Sequence, residues 1–223
     1  DREYKRYRFG NQPDIALWNL YQLANALYPL INDAKPLETI LNAFGNNYQK
    51  EYWSMMQNKL GLKLSKDEDA ILIESLTELL QLIETDMTIF FRNLSSVQKE
   101  DSTEVALNKI KEAFYNEKDL NESILDKWYG WLGNYSSRIN DELLSDTERK
   151  EQMNFVNPKY VLRNYMAQLS IDAADKGDYS LLNELYELLK KPYHEQLESQ
   201  KWFAKRPDWA RDKVGCSMLS CSS

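Results

Sequence analysis

Apolar residues recur at intervals of three and four along nearly the whole of this 223-residue chain, and that spacing limits its fold more than any other feature. A period near 3.6 sets one stripe of side chains along a helix face, whereas a half-buried strand needs strict alternation. Asn11-Gln12-Pro13 is a helix entry with proline in the first turn, followed by Ala16, Leu20, Leu23 and Leu27, and Pro29 is expected to close that helix. Pro36 opens a second segment through Leu37, Ile40, Leu41 and Phe44 toward Tyr48, Tyr52 and Met55, with Gly45 a candidate break. Ser65-Lys66-Asp67-Glu68 reads as a capping box that loads acids into a first turn, ahead of Ile73, Leu76, Leu80 and Ile83. Asp101 to Glu104 repeats that logic before Leu107, Ile110 and Phe114, and the next stripe is Ile124, Trp128, Trp131, Tyr135 and Ile139. Asn157-Pro158 is read as another helix start, with Leu162, Tyr165, Met166, Leu169 and Ala173 inward and Gly177 as its C-cap. Asp178 caps the last helix, whose stripe of Leu182, Leu185, Tyr186 and Leu189 stops at Pro192. No period-2 run of useful length and no internal repeat interrupts this pattern.

The expected fold is therefore all-α: a single helical domain of about seven to nine helices over residues 1–190, then an extended tail over 191–223 that holds both cysteines. The polar stretch from Asn93 to Ser102 is read as a loop inside that domain. Seven glycines and six prolines are few for a sheet-rich fold, which needs more turn residues.

Composition excludes several classes. With 43% hydrophobic and 28% charged residues the chain is globular, not disordered. A net charge of -7 argues against nucleic acid or an anionic membrane as partner. Two basic clusters, Arg2 to Arg8 and Lys201 to Lys213, are read as solvated faces. No apolar run is long enough to span a bilayer. Two cysteines close together at one end cannot staple a secreted fold, so a reducing, cytoplasmic location is expected. The chain opens on Asp1 without an initiator methionine, so it is expected to be part of a longer parent whose chemistry lies upstream.

The residues themselves offer little catalytic equipment. His194 stands alone, and a single histidine builds no histidine-based metal site. No phosphate-binding loop or dinucleotide fingerprint is present. Asp67, Glu68 and Asp69 read as helix-start charges, and Asp141, Glu142 and Asp146 as a solvated turn. Gly130 and Gly133 flank Trp131 inside a helical stripe, where close helix packing is the plain reading and a ligand surface the sharper one. Cys216 and Cys221 are the redox candidates, since a thiol near a terminus is free to react. Four residues separate them, which is not the C-x-x-C motif. No catalytic, cofactor-binding or metal-binding residue is assigned.

Several segments resemble the selenoprotein O family. They are Gly10-Asn11-Gln12-Pro13-Asp14-Ile15-Ala16-Leu17-Trp18-Asn19-Leu20, the Asp86-Met87-Thr88 to Phe91-Arg92 stretch and Asn157-Pro158 with Leu162-Arg163-Asn164. The Gly177-Asp178 turn, Arg206-Pro207-Asp208-Trp209-Ala210 and the Cys221-Ser222-Ser223 finish complete the set, in the family's order across the whole chain. The resemblance implies the C-terminal region of a kinase-like (pseudokinase) fold in a protein that transfers AMP from ATP to protein hydroxyl groups with a divalent metal, magnesium. The family's phosphate-contacting and metal-binding residues precede the Gly-Asn-Gln-Pro motif, so ATP and Mg²⁺ belong to the parent protein and none of those residues maps here. Cys221 corresponds to the family's terminal redox-active position, which is selenocysteine in several eukaryotic members and commonly cysteine in bacterial ones; Cys216 stands five residues before it. The implied partners are the upstream kinase-like lobe of the same chain and protein substrates. The competing reading is a stand-alone helical protein-interaction module with a redox-sensitive C-terminal thiol.

Overall fold

A computed structural model describes residues 9–213 and Cys216, and Cys221 lies outside the described residues. The all-α expectation holds. The described residues form nine α-helices: α1 (Gln12–Ile31), α2 (Lys35–Leu60), α3 (Asp69–Leu82), α4 (Met87–Leu94), α5 (Thr103–Ile110), α6 (Glu122–Asn140), α7 (Asp146–Val156), α8 (Asn164–Ala174) and α9 (Ser180–Leu189). Short 3-10 turns join them, and the only strand-like pairing among the described residues is an isolated antiparallel bridge between Thr85 and Phe114. Contacts divide the chain between Met55 and Met56 into two compact units.

The first unit holds α1 and most of α2. Pro29 does not end α1; the helix runs two residues further and stops at Asn32, whose left-handed φ of 53° lets its amide bond the Tyr28 carbonyl at 2.7 Å. A proline forfeits one amide donor, a small loss where only one further turn remains. Gly45 likewise leaves α2 unbroken. Phe44, Tyr48 and Tyr52 stack at four-residue intervals along α2, with centroids 6.3 and 6.2 Å apart.

In the second unit α6 is the central element. Its buried Trp128, Trp131, Leu132, Tyr135 and Ile139 meet Leu72, Ile73, Leu76 and Leu79 of α3 and Ala106, Leu107 and Ile110 of α5. Trp128 packs on Phe90 and Phe114 at 5.7 and 5.2 Å, and Trp131 stacks on Tyr135 at 5.2 Å. Each such side chain contributes about 1.5–3 kcal/mol by leaving water. Two of the polar handles are met, the Trp131 indole donating to the Leu72 carbonyl and the Tyr135 hydroxyl to the Leu60 carbonyl, both at 2.9 Å, while the buried Trp128 indole finds no acceptor.

Three further local expectations change. Ser65 caps nothing; α3 starts at Asp69, and the Ser65 hydroxyl accepts from Gln57 at 2.9 Å. Asn157-Pro158 does not start a helix but ends α7, and residues 157–163 stay non-helical because their polar groups are taken up elsewhere. The Lys59 ammonium donates to Asn157 Oδ1 at 2.8 Å, and the Lys159 and Tyr160 amides both reach the Pro192 carbonyl, at 2.8 and 3.1 Å. The third concerns the glycines of α6. A Cβ on Gly130 would meet no atom within 4 Å, and one on Gly133 only Thr103 Cγ2 at 3.9 Å, so close helix approach explains neither. Gly130→Ala should therefore raise stability by about 0.5–1 kcal/mol, the helix-propensity difference. Urea unfolding of the 223-residue chain checks this, and a lowered midpoint would contradict the open space above Gly130.

Candidate functional site

Three of the segments that carry the resemblance, Asp86 to Arg92, Leu162-Arg163-Asn164 and Arg206 to Ala210, meet in or beside one polar junction of the second unit. Asp86 caps α4, accepting the Ile89 amide at 3.1 Å, and the same carboxylate takes both terminal nitrogens of Arg163, Nη2 at 2.9 Å and Nη1 closer still. The Tyr115 hydroxyl lies 3.5 Å from Asp86 Oδ2 and accepts the Arg206 amide at 3.0 Å. Arg206 and Arg211 share Glu84, each with a contact of 2.9 Å, and the Arg211 guanidinium sits 5.1 Å over the Tyr115 ring. Trp209 meets Tyr165 edge-on at 6.2 Å. Burial pulls the Arg163 guanidinium down, but its bonds to Asp86 outweigh that and hold it above its usual range. Burial pushes the Tyr115 and Tyr165 hydroxyls up, so both stay protonated through the neutral range.

Arg92 gathers the neighbouring loops. Its Nη1 donates to the Asn154 and Asn157 carbonyls at 3.0 and 2.9 Å, and its Nη2 to the Tyr193 carbonyl at 3.1 Å and to Glu195 at 2.8 Å. Lys159 takes the other Glu195 oxygen. A planar guanidinium with five donors can bridge several acceptors in this way, which an ammonium cannot do with the same rigidity.

A second node overturns the reading of Glu142 as part of a solvated turn, and makes the helix-start charge Asp69 a buried one. Asp69 and Glu142, from the two clusters, are both buried and meet on Arg138: Nε lies 2.5 Å from Asp69 Oδ1 and Nη1 2.7 Å from Glu142 Oε1. The Leu64 amide adds a bond to Glu142 at 3.2 Å, and Arg138 donates to the Leu64 carbonyl. Asp141 does stay at the surface, paired with Lys66 at 2.6 Å. Burial pushes the Asp69 carboxyl up, but bonds from Arg138, the Lys66 amide and Gln57 prevail, and it lies below its ordinary value.

Arg149 is fully buried and donates to the Tyr135 hydroxyl at 3.1 Å, to Asp146 at 3.2 Å and to the Val97 carbonyl. Burial outweighs that guanidinium at Tyr135, whose hydroxyl is pushed up to about 12.

Cys216 is 5% exposed and shares a cluster with Tyr160, Tyr165, Met166, Leu185, Leu188, Trp202 and Ala210; Asn164 donates to its carbonyl at 3.2 Å. His194 is exposed, its amide bonded to the Lys191 carbonyl at 3.1 Å. Among the described residues no group of three or more His, Cys, Asp or Glu is placed to hold a metal ion. The buried carboxylates do not fit a nucleotide-bound cation, because Asp69, Asp86 and Glu142 are each committed to a guanidinium. No helix among the described residues is long and apolar enough to cross a membrane.

The four arginines that organise these nodes, Arg92, Arg138, Arg149 and Arg163, were not foreseen as site residues. A signal existed for two. Arg138 extends the stripe Trp128, Trp131, Tyr135, and Arg149 stands one helical turn before the buried Met153.

A family model for protein adenylyltransferase SelO matches residues 1–190. The chain belongs to the SelO family. A relative in Flavobacterium johnsoniae, named protein nucleotidyltransferase YdiU, is 63% identical over all of this chain and 43% of its own length. Relatives of the same name in Rhodopirellula baltica and Aromatoleum aromaticum are each 46% identical, over 100% and 98% of this chain and over 43% and 41% of their own lengths. The chain thus spans less than half the length of these SelO-family relatives. Within it, the arginine nodes join loops and helix ends, so their direct chemical effect is to fix those elements.

Proposed function

We propose that this chain is the C-terminal helical portion of a protein adenylyltransferase that moves AMP from ATP to hydroxyl groups of protein substrates, with ATP and Mg²⁺ bound by the rest of the parent protein. The observation that carries this reading is the commitment of the buried acids: Asp69, Asp86 and Glu142 are each held by an arginine, leaving none of them to ligate a metal or activate a hydroxyl. Phosphoryl and nucleotidyl transfer rests on cationic clamps around the phosphates and a carboxylate-held metal. The role left to this portion is to buttress the upstream kinase-like lobe and to offer a surface to protein substrates, in a bacterial cytoplasm, with neither nucleic acid nor membrane as partner. Cys221 is the redox thiol of the tail, and Cys216, packed among aromatic rings, reacts only when that packing opens.

Calorimetry and AMP incorporation test this together. The 223-residue chain should give no heat with ATP and Mg²⁺ and label no protein, while the full-length parent does both. In the parent, Cys221→Ser should leave ATP affinity intact and remove any dependence of transfer on reductant. A micromolar ATP complex of the chain alone would overturn the division of labour, and an unchanged reductant response would remove Cys221 from its role.

A further inference from the structure

Gly130 has no packing reason to be glycine. It stands in the interior of α6, where glycine costs about 1 kcal/mol against alanine, and a Cβ there would meet no atom within 4 Å. What the missing side chain leaves is a groove. α3 and α6 pack side by side, and Glu78, Leu79 and Leu82 of α3 with Lys127, Gly130 and Trp131 of α6 line a cleft of about 310 Å³ between them. Its floor is apolar: Leu79 and Trp131 are nearly buried, and Leu82 is 42% exposed. Its rim is polar and uncommitted. Glu78 and Lys127, on opposite walls, are exposed and have no ion-pair partner among the described residues, and the exposed Asn134 carboxamide offers a donor and an acceptor beside them.

Charge decides what fits. None of the 14 residues of α3 is lysine or arginine. Asp69 is neutralised by Arg138, but Glu74 and Glu78, one turn apart, are exposed and unpaired among the described residues. That wall is therefore negative, and a nucleotide or an anionic lipid headgroup would meet two carboxylates for one ammonium. A bare cation would find too few converging oxygens. A polypeptide segment meets every demand. A large apolar side chain over Gly130 would cover Leu79, Leu82 and Trp131, a neighbouring arginine or lysine would reach Glu74 and Glu78, and main-chain groups would bond Asn134.

We infer that the groove between α3 and α6 docks the protein substrate, through an apolar side chain flanked by basic residues. This rests on the reading of the parent as an adenylyltransferase that acts on proteins, and it deepens that reading by naming the surface and the chemistry of the substrate. Gly130 is a specificity residue: any side chain there occupies the place of the substrate's, even though it would favour the free helix. Glycine at this position exchanges stability for room, the kind of local rule-breaking found at functional sites.

The probe is a blocked decapeptide with a central photo-leucine between arginines. It is titrated at low salt into the 223-residue chain and its Gly130→Leu and Glu78→Lys variants. The wild type should bind it, and illumination should crosslink it within residues 74–82 or 127–134. Both variants should keep their helical circular dichroism and bind at least tenfold more weakly. A peptide with glutamates in place of the arginines should be at least tenfold weaker on the wild type. No binding by the wild type, equal binding of the two peptides, or crosslinks elsewhere overturns the inference. So does a dimer of the free chain that Gly130→Leu dissolves, which gives the groove to a second copy. Should Gly130→Leu fail to fold, Glu78→Lys, at an exposed position, carries the same test. In the full-length parent, Glu78→Lys should raise the KM for AMP transfer to a serine-bearing form of the arginine peptide at least tenfold and leave the KM for ATP in place. A parent that binds the peptide but moves AMP to no protein keeps the groove and sinks the proposed function. Transfer untouched by both variants does the reverse. Binding by the short chain that is lost in the parent also overturns the inference, because the rest of the polypeptide then covers the groove.

Discussion

Arg138→Met should cost about 3–5 kcal/mol, the loss expected when one partner of a buried ion pair is removed and the other is left uncompensated. Here two carboxylates are stranded at once, Asp69 at 2% and Glu142 at 3% exposure, while methionine roughly preserves the apolar stem. Small domains are stable by only about 5–15 kcal/mol, so the variant should unfold at a much lower urea concentration. The loss should be pH-dependent. In the wild type the Asp69 pKa is depressed below its unfolded value, so its contribution is present above the unfolded pKa and disappears as pH falls through the folded pKa. In the variant the guanidinium is gone, only the Lys66 amide and Gln57 still oppose burial, and the Asp69 pKa rises. Protonation then relieves the stranded charge, and the gap between variant and wild type should narrow in acid. A gap below about 1 kcal/mol at neutral pH, or one that widens in acid, would show that water replaces the guanidinium freely and that the node is not a strong tie.

Gly61→Ala should be nearly as damaging, at about 2–5 kcal/mol. Gly61 holds φ at 72°, a region that costs a residue with a Cβ about 1–2 kcal/mol. The added methyl would also stand 2.8 Å from Arg149 Cγ and 2.9 Å from Met153 Cγ and Sδ. Overpacking of this kind adds about 1–3 kcal/mol when the neighbours cannot yield. Arg149 cannot swing aside, because its guanidinium is held by Tyr135, Asp146 and the Val97 carbonyl. Gly177→Ala is the matched control: its φ is 81° but nothing lies within 4 Å, so only the backbone cost applies. Paired thermal melts of the two variants separate the terms, and equal losses would mean that the Arg149–Met153 wall relaxes without cost.

The helices were legible because their signal is local. The stripe Trp128, Trp131, Tyr135 and Ile139 specifies both that α6 is a helix and which face is buried, since a 3.6-residue period is a property of neighbouring residues alone. The Gly177 stop followed from the same kind of information, a backbone conformation that glycine adopts without strain. Glycine at 130 was misread as a packing device because its sequence neighbours could not show whether another helix approached. Ser65 and Asn157-Pro158 were misread as helix starts for a related reason: their polar side chains bond equally well to distant partners, and Gln57 and Lys59 won.

Sequence alone thus determined the all-α class, the buried faces of α3, α5 and α6 and, through the ordered motifs, membership of the SelO family, whereas the stripe expected on α9 leaves Leu182 and Tyr186 exposed. Only the tertiary structure decided which charges are buried and whom they meet. Arg138 and Asp69 lie 69 residues apart in the chain, and Arg163 and Asp86 lie 77 apart. A carboxylate in water and one buried against a guanidinium are the same letter in a sequence; what separates them is desolvation and the direction of a few hydrogen bonds, and both exist only once the helices have packed.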